Sequence, residues 1–190
     1  MKQKYIIRIY WYIRYMWAKF SARKLSHLRL KRLKPSRLLV LCYGNIYRSP
    51  FVAEYLKDRF IKISNVEIKS AGFFPKSGRK SAVKYVEIVN DYRVDLSEHR
   101  SNIVDNDLLN WAEAIIIMDG KNFKLSLLLN SGVEEKLIWL GALSPEVSIE
   151  IQDPYNKSLN QQRAIVEHMK KSCDALVEKI IQLKKPLNEN

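Results

Sequence analysis

The sequence predicts an α/β fold, a three-layer sandwich with a four-stranded parallel sheet, helices on both faces and a basic N-terminal extension. Three observations carry this expectation. From Arg37 onward, short apolar runs alternate with stretches of helical periodicity. The runs are continuous rather than alternating, as in parallel strands covered on both faces. Charge is divided sharply: residues 1–37 hold twelve Lys or Arg and no acid, whereas residues 38–190 hold twenty-one bases and all twenty acids. The net charge of +13 therefore belongs to the extension. A boundary at Pro35 and Ser36 fits both the charge shift and the helix-breaking proline. The expected parts are an extension over 1–36, a compact domain over 37–185 and a polar tail over 186–190.

On a helix, Ile6, Ile9, Tyr10, Ile13, Met16, Trp17 and Phe20 of the extension fall in one stripe. Lys4, Arg8, Arg14 and Lys19 lie off it, and seven of the chain's twenty aromatic residues sit in this segment. A basic helix with an apolar face and amphipathic rings suits an anionic membrane surface or an acidic partner. Packing of the stripe on the body or on a second subunit competes with that reading, and contact with nucleic-acid phosphates ranks last. Charges interrupt the apolar run and no small-residue cleavage site follows, so it does not read as a signal peptide.

The body reads in order. Leu38-Leu39-Val40-Leu41 is the first strand, and Phe51–Phe60 a helix with Pro50 preset for its first turn. Val66–Lys69 is the second strand, with Ser70-Ala71-Gly72 as a turn after it. Ser81–Asn90 is a helix, Ala114–Met118 a buried strand and Lys136–Leu140 the fourth strand. Ile165, Met169, Cys173, Leu176, Ile180 and Leu183 mark a C-terminal helix.

Composition narrows the function classes. Two cysteines 131 positions apart argue against a disulfide-stapled secreted scaffold. No run approaches the roughly 20 apolar residues of a spanning helix. Three histidines without close Cys, Asp or Glu spacing argue against a metal site, and no cofactor is expected.

Ligands of such sheets bind beyond the carboxyl ends of the strands. After the first strand comes Cys42-Tyr43-Gly44-Asn45-Ile46-Tyr47-Arg48-Ser49-Pro50. A cysteine, five residues and an arginine between strand and helix can wrap an anion. Backbone N–H groups of residues 43–47 would face it, the helix dipole would favour it, and Arg48 would grip it with two parallel hydrogen bonds. The same field would favour a thiolate on Cys42, making it a nucleophile. Gly44 and Asn45 tolerate the left-handed backbone that such a ring needs. Ser49 could donate to the sulfur as it leaves. A bare Cys-x5-Arg is weak alone; the strand before it, the Gly-Asn within and the Ser-Pro after it make it specific.

These residues resemble the loop of the low-molecular-weight protein tyrosine phosphatases, Cys-x-Gly-Asn-x-Cys-Arg-Ser-Pro. The resemblance runs from about Leu38 to Leu183. Its further landmarks are Ser70-Ala71-Gly72, Asp95-Leu96-Ser97-Glu98-His99-Arg100, Met118-Asp119 and Asp153-Pro154-Tyr155. It implies metal-free hydrolysis of phosphotyrosine proteins in two steps, with Cys42 as nucleophile and Asp153 as acid, then base. It further implies that Asn45, Ser70 and His99 brace the loop and that Tyr43 and Tyr155 wall the substrate slot. Relatives acting on phosphoarginine carry Thr where this chain has Ile46, which favours tyrosine. Tyr47 replaces the family's second loop cysteine, so the loop lacks the partner for a protective disulfide, and Cys173 reads as core. Arsenate reductases on this scaffold need further cysteines, which this chain lacks. The alternatives are a phosphotyrosine-binding or scaffold module with weak catalysis, and a phosphoarginine phosphatase. The expected location is the cytoplasm, peripherally at the membrane inner face.

Overall fold

The computed structural model describes residues 2–61 and 65–184, so the expected tail over 186–190 lies outside the described residues. Strands β1 (Arg37–Cys42), β2 (Glu67–Gly72), β3 (Ala114–Ile117) and β4 (Leu137–Trp139) form one parallel sheet in the order β2-β1-β3-β4. Leu39 lies between Lys69 and Ile115 in register, and Ile116 opposite Ile138. Helices are α1 (Lys2–Leu33), α2 (Arg48–Phe60), α3 (Val83–Asn90), α4 (Asn106–Trp111), α5 (Gly120–Leu129) and α6 (Leu159–Lys184).

The two-residue period of β1 divides the core. Leu38 and Val40 face Phe51 and Leu56 of α2 and Met169, Cys173 and Leu176 of α6. Leu39 and Leu41 face the other layer with Ile115, Ile117 and Trp139, covered by Leu109 of α4, Phe123 of α5 and Ala18 and Ala22 of α1.

Two local expectations change. Ser70-Ala71-Gly72 is not a turn but the end of β2, paired with Val40, Leu41 and Cys42. Its small residues answer to crowding: a Cβ on Gly72 would lie 2.8 Å from both the Asn45 nitrogen and the Tyr43 oxygen. Helix α2 starts at Arg48, three residues before Phe51, with Pro50 in the first turn, where backbone N–H groups have no helical acceptor.

The extension is a single helix of 32 residues, about 48 Å long. It packs on the body through Ala18, Ala22, Ser26, Arg29 and Leu30, all buried. This face lies opposite the predicted apolar stripe: Ile6, Ile9, Tyr10, Ile13, Met16, Trp17 and Phe20 are all exposed. The reason lies in β4, an edge strand whose outer backbone groups need partners. The Trp139 N–H donates to Ser26 Oγ (3.1 Å), and Arg29 Nη1 donates to the Leu137 oxygen (3.0 Å). Small residues bring the helix close to the edge, and two polar ones complete its hydrogen bonding. Arg23 adds donations to the oxygens of Ser144 and Val147, Arg14 pairs with Glu134, Arg29 and Arg32 with Glu135, and Lys19 with Glu150.

Ser26→Ala strands the buried Trp139 N–H and is expected to cost about 1–3 kcal/mol. A lowered urea midpoint at unchanged slope is the expected reading; an unchanged midpoint would show that the edge needs no cap.

Acid should also loosen α1. Hydrogen bonds from Arg32 and Arg29 hold the Glu135 carboxyl below its ordinary value. Burial pushes Glu150 up, but Lys19, the Gly120 N–H and Tyr15 outweigh it and hold it down. Stability from such depressed carboxylates is present above the unfolded value of 4.5 and lost as pH falls through the folded values. Protection of the β4 amides, after correction for the intrinsic slowing of exchange in acid, should therefore fall below about pH 4.5; protection unchanged down to pH 3 would contradict this.

Candidate active site

The loop between β1 and α2 brings Cys42 and Arg48 together at the carboxyl end of the sheet. The Cys42 Sγ lies 3.0 Å from Ser49 Oγ and accepts the Asn45 N–H at 3.2 Å. Asn45 has φ of 50°, the left-handed region in which asparagine is among the tolerated residues. Its buried side chain ties three segments: Nδ2 donates to Ser49 Oγ (2.9 Å) and Ser70 Oγ (3.0 Å), and Oδ1 accepts the Asn102 N–H (2.7 Å). The Asn45 carbonyl pairs with His99 Nε2 at 2.8 Å. Burial lowers the His99 pKa, which favours the neutral imidazole, with its one N–H on Nε2 to donate to that carbonyl.

Arg48 is almost wholly buried. Nη1 donates to Asp119 Oδ2 (2.5 Å) and to the Ile151 oxygen (2.9 Å), and Nη2 to Asp153 Oδ2 (2.6 Å). Burial works against its charge, but Cys42, Asp119 and Asp153 outweigh it and raise its pKa, so it stays cationic. Its Nε is buried without an acceptor among the described residues, a donor left for an anion in the loop. Asp153 sits at the half-exposed lip, its Oδ1 accepting the Tyr155 N–H at 3.1 Å.

Around these groups lies a cleft of about 470 Å³. Tyr43 and Tyr155 line it, as do Gly44, Ile46 and Tyr47 of the loop. Phe74 stands edge-on to Tyr43, with ring centroids 5.9 Å apart. Tyr47, where the resemblance places a cysteine, packs edge-on against Tyr85, whose hydroxyl donates to its carbonyl (3.2 Å). Cys173 is buried on α6 in the core, where burial pushes its thiol well up.

Asp119, a landmark of the resemblance given no role from the sequence, and two basic residues that the sequence did not single out complete the site. Asp119 caps α5, its Oδ1 accepting the Asn122 N–H (2.8 Å), while Oδ2 grips Arg48. Its place at the end of β3, one of the strand ends where ligands bind, was the available signal. Arg79 stacks on Phe74 and donates to the Gly44 oxygen, and the Lys121 ammonium lies 3.1 Å from the Tyr43 ring centre. Neither has a signature in sequence. The arrangement suits binding a phosphoryl group against a cysteine, with a carboxyl at the mouth to exchange protons.

A family described as low molecular weight phosphotyrosine protein phosphatase matches residues 37–187. A probable low molecular weight protein-tyrosine-phosphatase, EpsP, of Ralstonia nicotianae is 29% identical over 143 residues, 75% of this chain and 94% of its own length. A protein-arginine-phosphatase of Geobacillus stearothermophilus is 25% identical over 146 residues, 77% of this chain and 97% of its own. The crystal structure of the Erwinia amylovora tyrosine phosphatase AmsI superposes with a TM-score of 0.70 at 26% identity, covering 76% of this chain and 92% of that one.

Asp119→Ala should leave Arg48 with one carboxylate fewer and α5 uncapped. We expect kcat/KM for an aryl phosphate to fall about tenfold or more, from loss of a charge-assisted bond, and stability to fall by about 3 kcal/mol or more, from the buried charge left with one carboxylate fewer and the lost cap. Asp119→Asn should keep more of the stability than of the turnover; equal recovery of both would make the carboxylate merely a cap.

Proposed function

Because the chain belongs to the low-molecular-weight phosphotyrosine protein phosphatase family, we propose that it hydrolyses phosphotyrosine in proteins through a phosphocysteine at Cys42, with Asp153 exchanging the protons. The single observation that carries this reading is the buried Arg48 shared between Asp119 and Asp153, with the charge of Cys42 acting on it from the same loop. A module that only bound the phosphate would need neither nucleophile nor acid.

In the first step the Cys42 thiolate attacks phosphorus in line, forming the S–P bond as the P–O bond to tyrosine breaks. Asp153 gives its proton to the departing phenolic oxygen, and Arg48 with the loop amides takes the charge spread over the phosphoryl oxygens. In the second step Asp153 accepts a proton from water, whose oxygen bonds to phosphorus as the S–P bond breaks. Ser49 Oγ, 3.0 Å from the sulfur, is placed to donate to the thiolate as it leaves. Asn45, Ser70 and His99 hold the loop in the shape this needs, while Tyr43 and Tyr155 flank the incoming ring. Ile46 favours tyrosine over phosphoarginine. The enzyme works in the cytoplasm, with residues 1–36 its contact to an anionic surface.

Cys42→Ser should abolish hydrolysis of aryl phosphates, and retained turnover would reject the covalent route. Asp153→Ala should slow poor leaving groups by about 10²–10⁴-fold and good ones far less, since only poor ones need the proton. Equal losses would remove Asp153 from the acid role. Faster turnover of phosphoarginine than phosphotyrosine peptides by the unaltered chain would move it to the second substrate.

A further inference from the structure

Helix α1 has two opposed faces, and only one is occupied. The inner face caps β4; the outer carries Ile6, Ile9, Ile13, Met16, Trp17 and Phe20, all exposed, with Phe20 at 91%. Residues 3–10 are exposed on every side, so about 12 Å of helix projects beyond the body. The projection lies at the active-site end: Trp11 and Tyr15 line a groove with Lys121, and Lys121 also lines the catalytic cleft. A contiguous apolar strip of this kind marks a surface that something covers.

Charge selects what covers it. The body takes up Arg14, Lys19, Arg29 and Arg32 in ion pairs, while Lys4, Arg8, Lys24 and Lys31 have none among the described residues. No acid lies within residues 1–37 to offset them, so a second α1 would bring like charges together. The helix is not long and apolar enough to cross a membrane. Apolar and aromatic side chains, continued along the same face by the exposed Lys24 and Lys31, match instead the headgroup layer of an anionic bilayer lying along the helix.

We propose that the outward face of α1 docks on an anionic bilayer and holds the mouth of the cleft beside it, so that the preferred substrates are phosphotyrosines on membrane-anchored proteins. The substrate half rests on the phosphatase reading; the docking half does not.

The test is co-sedimentation of the full chain with vesicles of phosphatidylglycerol in phosphatidylcholine and of phosphatidylcholine alone. Binding should require the anionic lipid, weaken with salt, and fall about tenfold or more in Phe20→Glu and in the Lys24→Gln/Lys31→Gln pair. Hydrolysis of a soluble aryl phosphate should be unchanged in these variants, which shows that the fold is intact. Equal binding to both vesicles, no binding, or unaltered binding by Phe20→Glu would overturn docking. Self-association lost in Phe20→Glu without vesicle binding would overturn it in favour of a second copy. A phosphotyrosine peptide anchored in anionic vesicles should be cleaved faster than the free peptide by the unaltered chain but not by Phe20→Glu. Equal rates would overturn the substrate half, whereas absent aryl phosphate turnover would count against the phosphatase reading alone.

Discussion

A buried guanidinium has to be neutralised where it stands, and around Arg48 that requirement organises the active-site end of the fold. Two segments supply the three acceptors: Asp119 from the end of β3, and the Ile151 carbonyl and Asp153 from the stretch before α6. Each is thereby fixed relative to β1 and α2, which carry the sulfur and the arginine. Removing one partner from a buried charge is costly, so the constellation is held as a unit. The groups required for phosphoryl transfer are also those that make the arginine tolerable in the interior.

That constraint reaches α1. Ile151 receives Arg48, and its neighbour Glu150 receives Tyr15 (3.0 Å), Lys19 (2.8 Å) and the Gly120 N–H (2.9 Å). Gly120 opens the helix that Asp119 caps, and a side chain there would collide with the Tyr15 ring. The extension therefore touches both segments that flank the arginine, besides closing the β4 edge. Its charge boundary near residue 36 is a boundary of composition, whereas its inner face shares a core with the sheet.

How much could be read from sequence depended on whether a feature was contiguous. Strands β1 and β3 stood out because unbroken apolar runs leave little alternative, and residues 42–49 because nucleophile, left-handed positions and arginine follow one another directly. All three acceptors of Arg48 come from distant segments: Asp153 was legible only through the resemblance, Asp119 was a landmark without a role, and a backbone carbonyl such as that of Ile151 has no sequence signature. Helix α4 has six residues, too few for a periodicity to register. The extension misled for a physical reason. Hydrophobic periodicity finds the apolar side of a helix, yet the side that packs on an edge strand has to be small and polar. Ala18, Ala22, Ser26 and Arg29 met that need and left no apolar stripe to detect.

The opposition of the two faces also decides how the extension can be studied. Truncation at residue 36 would remove the outward strip and, with it, the partners of Trp139 and Leu137, the cover over Ile117 and Trp139, and the anchor of Glu150. Lost activity would then reflect an opened sheet edge as readily as a lost partner. Substitutions at exposed positions such as Phe20 alter only the outer face, whereas substitutions at Ser26 or Arg29 alter only the inner one. With the two separated in this way, any coupling between them is measurable as non-additivity of the paired substitutions. Additive effects would mean that one helix carries two independent duties.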